Sequence, residues 1–162
     1  MAEQVLDAAG ILLDLDGTIL ETAGDLATAT NRTLAEYGRA QVSEAQVRTW
    51  IGDAHERFMV HYGDCFADRS HPFPGVVETL KQYREAGVPL AVVTNKAAAF
   101  TEPLLEATGL RPLLDVVISG DTAPAKKPDP APVRAALEAM GVAPERAVLV
   151  GDSRNDVEAG LN

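Results

Sequence analysis

Two carboxylates two positions apart, Asp14 and Asp16, follow an apolar run and precede a Gly-Thr turn in residues 11–20, Ile-Leu-Leu-Asp-Leu-Asp-Gly-Thr-Ile-Leu. In an extended chain successive side chains alternate, so this spacing points both acids the same way while Leu13 and Leu15 face packing. Like charges so close together are costly unless a cation neutralises them or they share a proton. A hard divalent ion such as Mg²⁺, which takes oxygen ligands, suits that task. A plain solvated turn after a strand would also contain Asp-Gly, so other parts of the chain must decide.

More polar groups stand where later apolar runs stop. Thr94 and Asn95 end the run that begins at Val88, Asp152 and Asp156 follow residues 147–150, and Lys127 lies in the loop after residues 115–119. If these runs are parallel strands, all of these groups gather along one edge of the sheet, where α/β folds bind their ligands. Together they supply acids for a cation, a hydroxyl with a nearby amide, an ammonium, and helix starts with free N–H groups. Phosphoryl transfer asks for that inventory, and a carboxylate can itself be the nucleophile.

The elements that must position these groups are legible in the spacing. Leu26, Thr30, Leu34 and Tyr37 predict a helix over 21–37 with Gly38 as its stop. Ser43 and Gln46 form a capping-box pattern with Val42 and Val47 as staple, so a second helix should bury Val47, Trp50 and Ile51. Residues 52–74 show no clean period and hold His55, His61, His71 and Cys65; the histidines lack zinc-motif spacing and read as surface or loop groups.

Downstream, a helix over 75–86 should turn Val76, Val77, Leu80 and Tyr83 inward and end at Gly87. The next helix ends before Gly109, with a kink or restart expected at Pro103. Asp129 can cap a helix burying Val133, Leu137 and Met140 and stopping at Gly141, and a last short helix should cover 153–160. An opening strand within 11–20 and strands at 88–94, 115–119 and 147–150 alternate with these helices, which predicts an α/β fold with a parallel sheet.

Composition bounds the partners. The 162 residues suffice for one domain with a sizeable core, and 46% hydrophobic with 23% charged residues is the make-up of a globular chain. A formal net charge of −10 argues against nucleic acid and anionic membranes as partners, and an anionic substrate would need a local cation. The single cysteine, Cys65, rules out an intramolecular disulfide and a thiolate zinc site. No signal-peptide pattern opens the chain and no run is long enough for a bilayer, so the expected setting is cytoplasmic.

Asp-Leu-Asp-Gly-Thr at 14–18, Val-Val-Thr-Asn-Lys at 92–96, Lys-Lys-Pro-Asp-Pro at 126–130 and Gly-Asp-Ser-Arg-Asn-Asp at 151–156 resemble the four ordered motifs of the haloacid dehalogenase superfamily. Within it the chain most resembles the phosphoglycolate phosphatases. The resemblance implies a Rossmann-like parallel sheet with flanking helices over 1–20 and 74–162, and a small helical cap over 21–73. It also implies a Mg²⁺-dependent phosphatase acting through an aspartyl-phosphate on a small phosphorylated metabolite, 2-phosphoglycolate first, with another sugar or acid phosphate, or a phosphomutase reaction, left open.

By the same resemblance Asp14 would be nucleophile and metal ligand. Asp16 would be the general acid and base, its backbone carbonyl a further metal ligand. Thr94 and the Asn95 amide would hold the phosphoryl group, Lys127 would neutralise charge, and Asp152, with Asp156 supporting directly or through water, would anchor the metal. Lys126 reads as the bystander of its pair. A receiver-type phosphoacceptor module is opposed by the closing Gly-Asp-x-x-x-Asp motif and by the helical insertion. Two departures stand out: the insertion is short between residues 52 and 58, and relatives continue past Asn162 into another strand beside 147–150. An exposed, self-associating sheet edge or an inactive fragment would follow.

Overall fold

β1 (Gly10–Leu13) is the strand from which the rest is laid out, because its neighbours on both sides deliver the chemistry. A computed structural model describes residues 8–36, 38, 40–48 and 61–162. β1 pairs in parallel with β4 (Leu90–Val93) on one side and β6 (Ala147–Val150) on the other, and β5 (Val116–Ile118) pairs in parallel with β4. The order is therefore β5-β4-β1-β6, with register Leu13↔Val92 and Leu13↔Val150. All four strands end at the same edge, as the sequence predicts.

Alternation along these strands divides the core in two. Ile11, Leu13, Leu90 and Val92 pack with Leu80 of α3 (Val76–Glu85) and with Leu104 and Leu105 of α4 (Ala98–Ala107). Leu12, Ala91 and Val93 face the other way, onto Val133, Ala136 and Leu137 of α5 (Ala131–Met140) and Ala159 of α6 (Arg154–Leu161). A sheet covered on both faces needs apolar residues at consecutive positions, which is why β4 reads Leu-Ala-Val-Val. Each fully buried leucine in these layers contributes about 1.5–3 kcal/mol.

Local signals hold where their physics is local. Asp129 Oδ1 accepts from Ala131 N–H at 2.8 Å at the start of α5, and Gly141 ends that helix with φ 66°. Ser43 and Gln46 make the reciprocal bonds of a capping box ahead of α2 (Glu44–Arg48). α4 runs through Pro103 without a restart. Pro103 and Ala99, whose carbonyl loses its bond, both lie on the exposed face, where the freed group is open to solvent.

Between β1 and α3 the chain makes a structure that periodicity does not reveal. β2 (Leu20–Glu21) pairs antiparallel with β3 (His71–Pro72), and the two-residue strands form a neck. The neck encloses α1 (Ala23–Glu36) and α2. Asp25, fully buried, ties its two ends: its carboxylate accepts from Arg69 N–H, Ser70 N–H and Ser70 Oγ–H, the last at 2.6 Å. In α1 burial is concentrated in Ala23–Ala27 and Ala29, whereas Thr30 and Leu34 are half-buried, because the first two turns sit against the core. The expected burial of Trp50 and Ile51, and the shortening between residues 52 and 58, lie outside the described residues.

At the far side β6 is the edge strand among the described residues, and Val150, Val157 and Leu161 are the large apolar side chains left exposed, Leu161 at 82%. No helix among the described residues is long and apolar enough to cross a membrane.

Candidate active site

The groups converge because each follows the C-terminal end of a parallel strand. Asp14 comes directly after β1, Thr94 directly after β4, Lys127 from the loop after β5, Asp152 two residues beyond β6, and Asp156 from the first turn of α6. Asp14, Thr94, Lys127 and Asp156 are buried and Asp152 is exposed. Lys126 points to solvent, so of the adjacent lysines Lys127 is the one drawn in.

Lys127 is fully committed. Its ammonium donates to Asp14 Oδ1 at 2.8 Å, to Asp156 Oδ1 at 2.6 Å and to the Val93 carbonyl at 2.6 Å, one acceptor for each of its three N–H bonds. Asn95 holds its backbone in place: the carboxamide donates to the Lys127 carbonyl and accepts from the Lys127 N–H, both at 2.9 Å. This close approach of two loops also requires Gly120, where a Cβ would strike the Asn95 carbonyl.

Environment separates the three acids. Burial pushes the Asp14 carboxyl up to about 6, against the pull of Lys127. Burial pushes Asp156 upward as well, but hydrogen bonds from Lys127 and from Ser153 outweigh it and leave Asp156 below the usual carboxylate value. Ser153 N–H and Oγ–H both donate to Asp156 Oδ2, at 3.0 and 2.5 Å, so Asp156 caps α6 and pairs with Lys127 at once. One carboxylate oxygen from each of Asp14, Asp152 and Asp156 lies within 4.8 Å of the others. An all-oxygen set of this kind fits a hard divalent ion such as Mg²⁺. The fit depends on Gly17, at φ 83°, where a Cβ would collide with the Asp152 carboxylate.

Asp16 corrects the expectation that both acids of the first motif converge on one neutraliser. Its carboxylate accepts from Lys96 Nζ at 3.0 and 3.1 Å, away from the Lys127 cluster. Strand alternation stops at Leu13, and the backbone then turns, with Ile19 and Leu20 N–H bonding the Leu15 carbonyl. Leu13 and Leu15 do pack, at 7% and 0% exposure.

Lys96 is the residue that sequence reasoning does not reach. A lysine after a strand reads as a solvated loop charge, and its place beside Thr94-Asn95 was the one available signal. Its side chain is 7% exposed, and the ammonium lies 4.7 Å above the ring of Tyr62, which comes from the segment between β2 and β3. Its backbone is pinned as well: Lys96 N–H donates to Thr94 Oγ1 and its carbonyl accepts from Gly120 N–H. Burial lowers the Lys96 pKa, but Asp16 and Tyr62 outweigh this and raise it overall, while burial takes the Tyr62 phenol up to about 12.

Of the histidines, His61 Nε2 lies 2.8 Å from Glu36 and His71 Nδ1 2.9 Å from the Arg69 carbonyl, away from the acidic cluster; His55 is outside the described residues. Cys65 is buried and unbridged.

The chain has known relatives. Residues 11–162 match the family described as haloacid dehalogenase-like hydrolase. A phosphoglycolate phosphatase of Thiobacillus denitrificans is 40% identical over 174 residues, covering 92% of this chain and 77% of that protein. One from Nitrosococcus oceani is 38% identical with the same coverage. The aligned span of 174 positions exceeds the 162 residues of this chain, so these relatives carry residues within it that this chain lacks. Among solved structures, a predicted phosphoglycolate phosphatase from Haemophilus somnus superposes with a TM-score of 0.83 at 30% identity, covering 96% of this chain and 81% of that one.

Proposed function

We infer the reaction from one premise: the chain belongs to the haloacid dehalogenase-like hydrolase family. On that premise it is a phosphatase that uses Mg²⁺ and an aspartyl-phosphate to convert 2-phosphoglycolate to glycolate and phosphate. The names of its relatives support the substrate. The observation that carries the chemistry is the Lys127 ammonium set between Asp14 and Asp156 at the mouth of the parallel sheet.

Asp14 attacks phosphorus, forming the Oδ–P bond as the bond from phosphorus to the glycolate oxygen breaks. Asp16 gives its proton to that departing oxygen. In the second half Asp16 takes a proton from water, the water oxygen attacks the aspartyl-phosphate, and Asp14 is released with inorganic phosphate. The Thr94 hydroxyl and the Asn95 backbone amide hold the phosphoryl oxygens, and Lys127 offsets the charge of nucleophile and phosphate. Asp14, Asp152 and the Asp16 carbonyl would hold Mg²⁺. Asp156, its two oxygens committed to Lys127 and Ser153, would support the ion through water. When bound, the ion neutralises phosphate charge facing the carboxylate nucleophile.

Residues 21–73 act as a cap over this mouth, a reading supported by Tyr62 lying against the lysine that pairs with Asp16. The two buried lysines answer the need for local cations in a chain of net charge −10. A cytoplasmic setting and self-association belong to the same proposal, supported by the unbridged cysteine and by the exposed apolar edge.

The test is phosphate release from 2-phosphoglycolate and from an aryl phosphate, with and without Mg²⁺. Metal-dependent release that falls ~10⁴-fold or more in Asp14→Asn is the expected result. Absence of release from a folded, Mg²⁺-saturated sample would reject the reading.

A further inference from the structure

The proposed chemistry gives Asp16 the leaving oxygen, and that assignment creates an electrostatic problem. A general acid must come within hydrogen-bond reach of the oxygen it protonates. In 2-phosphoglycolate a single methylene carbon separates that oxygen from a carboxylate. Once Asp16 has given up its proton, the carboxylate of the glycolate product therefore lies close to that of Asp16. Like charges held together there are unfavourable unless a cation serves both.

One cation is in place. Lys96 Nζ lies 3.0 and 3.1 Å from the two Asp16 oxygens, and no other lysine or arginine pairs with Asp16 among the described residues. An ammonium has three N–H donors that rotate about a flexible stem; two face the Asp16 oxygens and the third the Tyr62 hydroxyl, a neutral acceptor that an incoming carboxylate displaces. Its remaining surroundings are not competing acceptors of full charge. The ring of Tyr62 covers it at 4.7 Å, and Tyr62 is itself locked against Phe100 and Phe66, with ring centroids 5.1 and 6.4 Å away. The backbone of Lys96 is fixed through Thr94 and Gly120, so the stem starts from a defined point. Lys127, by contrast, has no donor left for a ligand.

We propose that Lys96 is a specificity residue that binds the carboxylate of the leaving group, so that the site selects phosphomonoesters of small 2-hydroxy acids over neutral alcohol phosphates. The inference rests on the phosphatase reading for where the leaving oxygen lies, but it can be tested without turnover. The probes are 2-phosphoglycolate and 2-hydroxyethyl phosphate, in which a hydroxymethyl group replaces the carboxylate. Calorimetric binding of both to Asp14→Asn in the presence of Mg²⁺ reads the preference with no chemistry. The expected preference for 2-phosphoglycolate is ~30-fold or more; it collapses to within ~3-fold in Asp14→Asn/Lys96→Gln and largely survives in Asp14→Asn/Lys96→Arg.

Equal loss of affinity for both compounds in the Lys96→Gln background would overturn the proposal, leaving Lys96 as a positioning partner of Asp16. So would an Asp14→Asn protein that does not distinguish the two compounds, an outcome that requires no change at Lys96 and no test of its folding. Failure of the wild-type enzyme to release phosphate from any ester rejects the phosphatase reading instead, while the binding preference still reports on Lys96.

Discussion

Lys127 and Lys96 are both buried, both paired with an aspartate of the first motif, and both at the same edge of one sheet, yet their surroundings differ. Lys127 is held by groups from the ends of β1 and β4 and from α6, with a carboxamide clamp on its backbone. Lys96 meets one carboxylate from the core and one aromatic ring from the segment between β2 and β3. The first is a closed network in which each donor has an acceptor. The second spans two parts of the molecule, and one of its acceptors is the neutral Tyr62 hydroxyl in place of a charged group. A closed network sets charge and geometry for any phosphoryl group, whereas a spanning contact can depend on what lies between its halves.

That contrast breaks most decisively under truncation of each lysine. Lys127→Met leaves Asp14 and Asp156 facing each other without their cation, and removing one partner of a buried ion pair costs about 3–5 kcal/mol. Urea unfolding should show a loss in that range, with activity falling ~10³-fold or more in any sample that stays folded. Lys96→Met should cost roughly half as much stability, since Asp16 is half-buried and can recruit water. Similar losses for the two variants would show that the two sites are equivalent.

Acidity sharpens the contrast inside the Lys127 network. Asp14 titrates near 6 in the fold against an ordinary value of 3.8, so its ionisation opposes folding. The penalty is absent below the ordinary value, grows as pH rises from 3.8 to about 6, and is complete above it. Asp156 has the opposite sign: its contribution is present above the ordinary value and is lost as pH falls through the depressed one. In chelator-treated protein the melting temperature of Asp14→Asn relative to wild type should therefore rise between about pH 4 and about pH 7, by the equivalent of ~2 kcal/mol. Mg²⁺ should then stabilise the wild type more than the variant.

The smallest effect concerns surface rather than site. Both lysines are covered, while β6 and α6 leave Val150, Val157 and Leu161 in solvent. Sedimentation at rising concentration should show a growing mean mass that Val157→Asp with Leu161→Asp reverses. A monodisperse monomer at high concentration would show that this edge is tolerated as it stands.

Much of the molecule is legible in the letters because its causes are local or periodic. Consecutive apolar runs announce a sheet buried on both faces, Asp129 and Gly141 bound a helix through their own backbones, and Ser43 with Gln46 opens another. The order of Asp14, Thr94, Lys127 and Asp152 along the chain predicts convergence, because parallel strands deliver every loop to one edge. Other features had no such signal. Two-residue strands such as Leu20–Glu21 and His71–Pro72 are too short for any period, and the buried ties of Asp25 to Arg69 and Ser70 span more than forty residues of sequence. Tertiary structure alone decided that Asp16 turns to Lys96 instead of joining Asp14, because alternation governs a side chain only while its backbone stays extended. It also decided that Lys96, at the end of a motif and outwardly a loop charge, is enclosed by a ring from the insertion, since enclosure depends on what another part of the chain brings near.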